Sequence, residues 1–401
     1  MTSELRVAAL QGNSPNFKIN LANDSTLKME SDLRLQNQSY LPVPGGDPDA
    51  NVFARPQDPV YGSIFMNTKT GKLEYWKHGG KGGWGYIISS GAGDGEGAQG
   101  EFLYPWETGS SFTFTSGGRG GSSNTYIAPD INSVRSHSSY NASNAWENEY
   151  LTTPSYDGVM QWTVPGTGVW TFEVAGAKGG QSSGYGGYRT PGWGYIVEGD
   201  FTFNGGDKVM IVVGQQGQNS QNGGGGGGSF VYVNRGDSYP LLAAGGGGGA
   251  GYNTSNGYNA TSSSTAGGSP GCGTSGGSGG NSGGDTYGNG GSGGGWNSYG
   301  NQGGSGGNTS NFRGKQASYY GGFGMGGGAQ GGDNGGGGGG GYSGGGSGCD
   351  GGNGWGGGGG GSYIWTGSSL YAGSSQNKGN NTSSEGGNQG WGYVKVTLKS
   401  V

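Results

Sequence analysis

The side chains best suited to contact another molecule are Tyr252, Tyr258, Trp296, Tyr299, Phe312, Arg313, Tyr319, Tyr320, Trp365 and Tyr371. They fall in four stretches, 252–266, 285–299, 308–320 and 365–384, where rings stand beside Asn and Ser among long glycine tracts. Rigid ring area next to adaptable hydrogen-bonding groups is the mixture that adhesive loops use, at low ordering cost. A second role is open to the same rings: capping the ends of the glycine tracts and shielding amides from water. Each stretch is expected where the tracts turn.

Other chemistry has little material. His78 and His137 are the only histidines and lie on either side of a domain boundary, so no metal or triad site is expected. Glu147 and Glu149 are close in sequence, and acids on a polar loop read as a solvated face. G-x-G-x-x-G matches carry no weight in a chain this rich in glycine, and G-x-x-x-x-G-K-[ST] does not occur, so no cofactor is expected. Arg235-Gly236-Asp237 spells an integrin tripeptide but reads as a turn between two strands. The net charge of −5 comes with no basic stripe, which excludes nucleic-acid binding. No run of 18 apolar residues predicts a membrane-spanning helix.

Glycine supplies 107 of the 401 residues, and 28 of the 41 from Gly321 to Gly361. An ordered glycine tract has few options: helix is disfavoured by about 1 kcal/mol per glycine, and a strand gains nothing from absent side chains. A polyproline-II-type helix remains, with three residues per turn and no internal hydrogen bonds. Ordering a residue costs about 1–2 kcal/mol, while a net hydrogen bond contributes about 0.5–1.5. One such helix alone would not persist, whereas a bundle can, because backbones without Cβ atoms approach closely. Collagen is excluded: there is no Gly-X-Y period and only 13 prolines occur.

The elements around the glycine tracts read as β. In residues 1–90, strands are expected at 17–21, 27–29 and 33–35, and a hairpin pairs Tyr61–Met66 with Leu73–Trp76. Residues 91–100, GAGDGEGAQG, form a linker. From Phe112 onward, strands are expected at 158–164, 168–175, 195–203, 208–213, 229–233 and 239–244, then at 362–365 and 391–398. The segments WGYI at Trp193 and WGYV at Trp391 look like paired strands. The fold class is thus all-β: a small N-terminal module, then residues 101–401 as a sandwich with glycine tracts inserted at about 245–361. The opening residues hold no apolar stretch long enough for a secretory signal, so the chain is expected in a cytoplasm until release. Cys272 and Cys349 could bridge two tracts, but a reducing cytoplasm favours two buried thiols, which are the expectation.

The run VMIVVGQQGQNSQNGGGGGGSFVYVNRGDSYPLLAAGGGGGAGY, the later GGFGMGGG and GGGGGGSYI segments and the closing GWGYVKVTL resemble a receptor domain. It is the extracellular glycine-rich domain of anaplastic lymphoma kinase and leukocyte tyrosine kinase, and the likeness covers about residues 160–401. It implies a TNF-like (jelly-roll) β-sandwich carrying polyglycine-II helices. These 401 residues show no signal peptide, membrane helix or kinase domain and few of the cysteines of those receptors, so receptor signalling is not expected. A similar glycine bundle occurs in distal tail-fibre adhesins of T-even-like phages. SELRVAALQGN and GSIFMNTKTGKLEYW are similar to segments of cyanophage-type virion proteins.

These resemblances imply a phage virion protein that is not an enzyme: a homotrimeric tail-fibre or adhesin subunit, assembled in the host cytoplasm. Residues 1–90 would attach it to other virion proteins or sister chains. Residues 101–401 would bind a host-surface glycan or outer-membrane protein, without membrane insertion. The competing readings are a purely structural capsid or tail decoration protein and, more remotely, a polysaccharide depolymerase.

Overall fold

Alternating apolar residues between Gly and Pro turns build an almost entirely β structure in this computed structural model. Before residue 103 it describes only 45–46, 64–67, 72–77 and 83–86. From 103 to 401 it describes all but 105, 117–127, 137–139, 141–144, 154–156, 185–186, 253–254, 270–273, 286–289, 301–311, 315–318, 330–334, 351, 353 and 386–388. The chain divides into two units, Met1–Ala92 and Gly93–Val401.

In the first unit, β1 (Gly45–Gly46), β2 (Ile64–Asn67), β3 (Lys72–Lys77) and β4 (Gly83–Tyr86) form one sheet in chain order. β2 and β3 make the expected hairpin, with Asn67 opposite Lys72. The strands expected at 17–21, 27–29 and 33–35 and the linker at 91–100 lie outside the described residues.

The second unit holds two antiparallel sheets. One contains β5 (Ser111–Phe114), β8 (Gly168–Ala175), β9 (Tyr195–Phe203), β14 (Tyr371–Asn380) and β15 (Tyr393–Ser400), in the order β14-β9-β8-β15-β5. The other contains β6 (Leu151–Thr152), β7 (Val159–Thr163), β10 (Lys208–Val212), β11 (Ser229–Tyr232), β12 (Leu242–Ala244) and β13 (Tyr363–Ile364), in the order β13-β12-β11-β10-β7-β6. Two short helices, α1 (Ile131–Arg135) and α2 (Ala145–Glu149), precede β6.

The period of two puts Trp170, Phe172 and Val174 of β8 inward and Thr171 and Glu173 outward. These rings meet Met160 and Trp162 of β7 and Val209 and Ile211 of β10 in one buried cluster, so the sheets share a core. Trp162 and Trp170 sit edge to face at 5.3 Å. Burying one such side chain contributes about 1.5–3 kcal/mol.

Three expectations need correction here. The WGYI and WGYV strands do not pair with each other; both flank β8, with Ala175 opposite Ile196 on one side and Tyr393 on the other. Glu147, expected on a solvated face, is buried in α2, and its charge adds to burial in raising the Tyr140 phenol. The stretch 365–384, expected as a turn of the glycine tracts, contains β14, an edge strand of the sandwich with almost every side chain exposed.

The glycine tracts are ordered by bonds to one another. Tract 335–341 shows the rule. Gly337 and Gly340 donate to Gly223 and Gly226 and accept from Gly249 and Gly246. Gly336 and Gly339 donate to Trp355 and Gly358 and accept from Gly348 and Gly345. Gly338 donates to Gly291 at 2.9 Å and accepts from Gly327 at 2.8 Å. Partners therefore recur every three residues, and six neighbouring tracts surround this one. The tracts are not confined to 245–361: segments 176–194 and 214–228 join the same array, as Ala177–Gly227 and Gly226–Gly247 bonds show.

Candidate functional site

The array has two ends. Strands enter or leave it at Gly176, Gly194, Gly214, Gly228, Gly245 and Gly361, all beside the sheets. The described residues of the connections, 181–184, 187–190, 218–222, 252 and 255–256, therefore lie at the far end.

Local polar chemistry ties those far turns together. Gln181 N–H donates to Asn219 Oδ1 at 2.7 Å, and Ser182 Oγ donates to the Gln221 carbonyl at 2.6 Å. Thr190 N–H donates to Asn256 Oδ1 at 3.1 Å. Tyr319 Oη donates to Gln221 Oε1 at 3.0 Å, and Tyr320 N–H to Gln218 Oε1 at 2.8 Å. Short Asn and Gln side chains thus finish backbones that no further tract covers. Tyr252, Tyr319 and Tyr320 are half-buried on this surface, with Tyr258 two residues below Asn256 on the adjoining tract. Tyr188, in the 181–190 turn, is 76% exposed and was not among the residues singled out by sequence. Its surroundings, YGGYRTPG, carried the same aromatic signal outside the four stretches.

The other sequence-selected residues lie elsewhere. Trp296 and Phe312 are buried at the sheet end of the array, packed on Phe230 and Tyr232 of β11. Both are caps, as the second role supposed. Tyr299 and Arg313 are exposed at that same end. Trp365 and Tyr371 pack against the sandwich core. The ten residues therefore form no single surface.

Arg235 is not presented as an integrin-type group would be. Its guanidinium lies 3.9 Å from the Trp296 ring centre and 5.4 Å from that of Phe312. Its Nη2 donates to the Trp296 carbonyl at 2.7 Å, and burial lowers its pKa. The Gly236 N–H bonds Asn234 Oδ1 at 3.0 Å, which closes the turn.

Cys349 is disulfide-bonded, and Cys272 is the chain's only other cysteine, so the expected pair of thiols gives way to a bridge. Residues 270–273 lie outside the described residues, and the described segment after them bonds the Cys349 tract. Thr274 pairs with Ser269, and Thr274 Oγ1 donates to the Ser347 carbonyl at 2.7 Å, two residues from Cys349.

One carboxylate pair is committed to an ion pair. Glu173 and Glu198 stand opposite each other on β8 and β9, and Lys378 on β14 bonds both carboxylates. Burial acts to raise Glu173, but the Lys378 ammonium and the Tyr393 hydroxyl outweigh it and hold the carboxyl below its ordinary value. A carboxylate held ionised is a poor proton donor. Among the described residues, no group of three or more His, Cys, Asp or Glu could hold a metal. His78 and His137 lie outside them.

No protein-family model and no curated protein matches this chain. Among the described residues, no helix is long and apolar enough to cross a membrane.

Proposed function

We propose that this chain is a tailed-phage virion protein, a non-enzymatic tail-fibre adhesin whose far glycine turns contact the host surface. The observation that carries the reading is the gathering of Tyr188, Tyr252, Tyr319 and Tyr320 with Asn and Gln groups on one end of a rigid array. Turns braced this way hold rings in place before contact, which lowers the ordering cost of binding. The three-residue recurrence of bonds supports tracts of polyglycine-II type, and the paired antiparallel sheets support a jelly-roll, TNF-like sandwich. Sandwiches of that kind commonly trimerise, and a trimer would present three such ends, raising avidity without tight single contacts. Residues 1–90 would join the chain to the particle. The receptor would be a surface glycan or an outer-membrane protein.

The test replaces Tyr188, Tyr252 and Tyr319 by Ala and measures adsorption of intact particles. Loss of adsorption with normal assembly is the expected result, with antibody gold label at the far ends of tail fibres. Normal adsorption, with label over the capsid or tail shaft, would establish a decoration protein instead.

A further inference from the structure

At the sheet end of the array, four aromatic rings form a cluster of graded exposure. Tyr342 is 3% exposed and stacks on Tyr363 at 4.3 Å and 18°. Tyr363 in turn stacks on Tyr239 at 5.3 Å and 24°. Trp365 leans against Tyr239 at 5.6 Å and 53°. Tyr239 is 38% exposed, while Tyr363 and Trp365 are half-buried. The stack is fixed from below. Tyr363 lies in β13, the edge of its sheet, and Trp365 N–H donates to the Leu241 carbonyl at 2.9 Å.

The polar groups of these rings are unspent. No described residue hydrogen-bonds the hydroxyls of Tyr239, Tyr342 or Tyr363, or the Trp365 indole N–H, although other ring donors nearby are engaged. Trp296 Nε1, for comparison, donates to the Asp237 carbonyl at 3.1 Å. The phenols also lie close together: burial first, then the neighbouring Tyr363 and Tyr239, push Tyr342 up to about 12. Burial and then Tyr239 raise Tyr363 as well. Tyr342 and Tyr363 stay protonated near neutrality, so each can donate and accept. A mere cap for the glycine array would need the ring area but not this cluster of uncommitted donors.

We propose that Tyr239, Tyr363 and Trp365 form a platform for a neutral pyranose unit of a polysaccharide, distinct from the turns at the far end. The C–H face of a pyranose fits a tilted pair of aromatic faces, and its hydroxyls match the phenol and indole groups at the rim. Neutral sugar is favoured because, among the described residues, no Lys or Arg lies over these three rings. The proposal rests on the adhesin reading for the source of the sugar, the host surface, while its chemistry stands on the rings alone.

The experiment uses the full chain and saturation-transfer NMR with maltohexaose, cellohexaose and chitohexaose. At least one is expected to receive saturation on its pyranose ring protons. Tyr239→Ala should weaken that binding about tenfold, or about 1.4 kcal/mol, and its melting temperature shows that the variant stays folded. Tyr239→Phe keeps the stack and should retain most of the affinity. The triple Ala variant of Tyr188, Tyr252 and Tyr319 is measured beside it and should keep the saturation transfer that Tyr239→Ala loses. The platform is overturned if none of the three sugars binds, or if Tyr239→Ala binds normally. It is also overturned if only the far-turn variant loses binding, an outcome that leaves the adhesin reading standing. Loss of sugar binding in Tyr239→Ala, with normal adsorption of the far-turn variant, would support the platform and remove the proposed function of the far turns.

Discussion

The guanidinium of Arg235 lies 3.9 Å from the centre of the Trp296 ring and locks the β11–β12 connection to the glycine array. Trp296 returns the contact through its indole N–H, which bonds the Asp237 carbonyl at 3.1 Å. Arg235→Ala should therefore destabilise the second unit by about 2 kcal/mol, from the lost cation–π contact and its charged hydrogen bond. Arg235→Lys should recover only part, because an ammonium lacks the planar stack. Asp237→Ala should be neutral, since only the backbone carbonyl is used. Thermal melts of the three variants check this; equal melting temperatures for Arg235→Ala and the native chain would reject the lock.

At the centre of the array, a Cβ added to Gly339 would lie 2.0 Å from the Gly246 carbonyl oxygen. That oxygen already accepts the Gly360 N–H at 2.8 Å, so it cannot withdraw without breaking a second contact. Gly339→Ala should cost about 3 kcal/mol or more, at the severe end of overpacking. Gly267 offers a matched comparison within a tract, since a Cβ there meets nothing closer than 3.4 Å. Gly267→Ala should be close to neutral or slightly stabilising, because it restricts the unfolded chain. Denaturant midpoints of the two variants test whether close backbone packing, and not glycine content as such, holds the array.

Strands with apolar alternation were legible in the sequence: the bounds expected for β8 and β9 are those observed. β14, YAGSSQNKGN, was not, because beyond Tyr371 it buries no apolar side chain and rests mainly on backbone pairing to β9. Gly373 and Gly379 have positive φ and lie where its register breaks, a bulged edge that no hydrophobic pattern announces. The glycine tracts were legible as a bundle because composition left few alternatives. Their two ends were not, since which turn faces the sheets depends on long-range pairing. Trp296 and Tyr319 look alike in sequence, yet one is buried against β11 and the other stands at the far end. Phe312 and Met325 have φ of 56° and 70°, a backbone strain that their burial among rings offsets and that sequence does not advertise.

The Cys349 bridge closes a loop from Cys272 across much of the array. In the chain-entropy account, a loop of this length stabilises the fold by about 4–5 kcal/mol. Reductant should therefore lower the melting temperature, and the Cys272→Ser, Cys349→Ser double variant should match the reduced chain and lose its sensitivity to reductant. Non-reducing mass spectrometry checks that the two thiols are absent in the native protein. A melting temperature indifferent to reductant would show that inter-tract bonds alone suffice.

Lys378 keeps two like charges together on the outer face of the sandwich. Glu173 and Glu198 are direct cross-strand neighbours, and their repulsion is offset by the shared ammonium. Burial would raise Glu173, but Lys378 and Tyr393 hold it low; burial would lower Lys378, but Glu173 and Glu198 hold it high. The Glu173 contribution is thus fully present above the ordinary carboxylate value of about 4.3 and lost as pH falls through its lower folded value. The Lys378 contribution is present below about 10.4 and lost as pH rises through its higher folded value. Between those limits, Lys378→Met should cost about 1 kcal/mol, a modest figure because solvent screens the partly exposed groups. The deficit should shrink as pH falls through the lowered folded value of Glu173, where its carboxylate protonates and its repulsion with Glu198 disappears. Melting curves from pH 3 to pH 8 measure this convergence, and a deficit that stays constant across the range would assign the effect of Lys378 to packing of its alkyl chain.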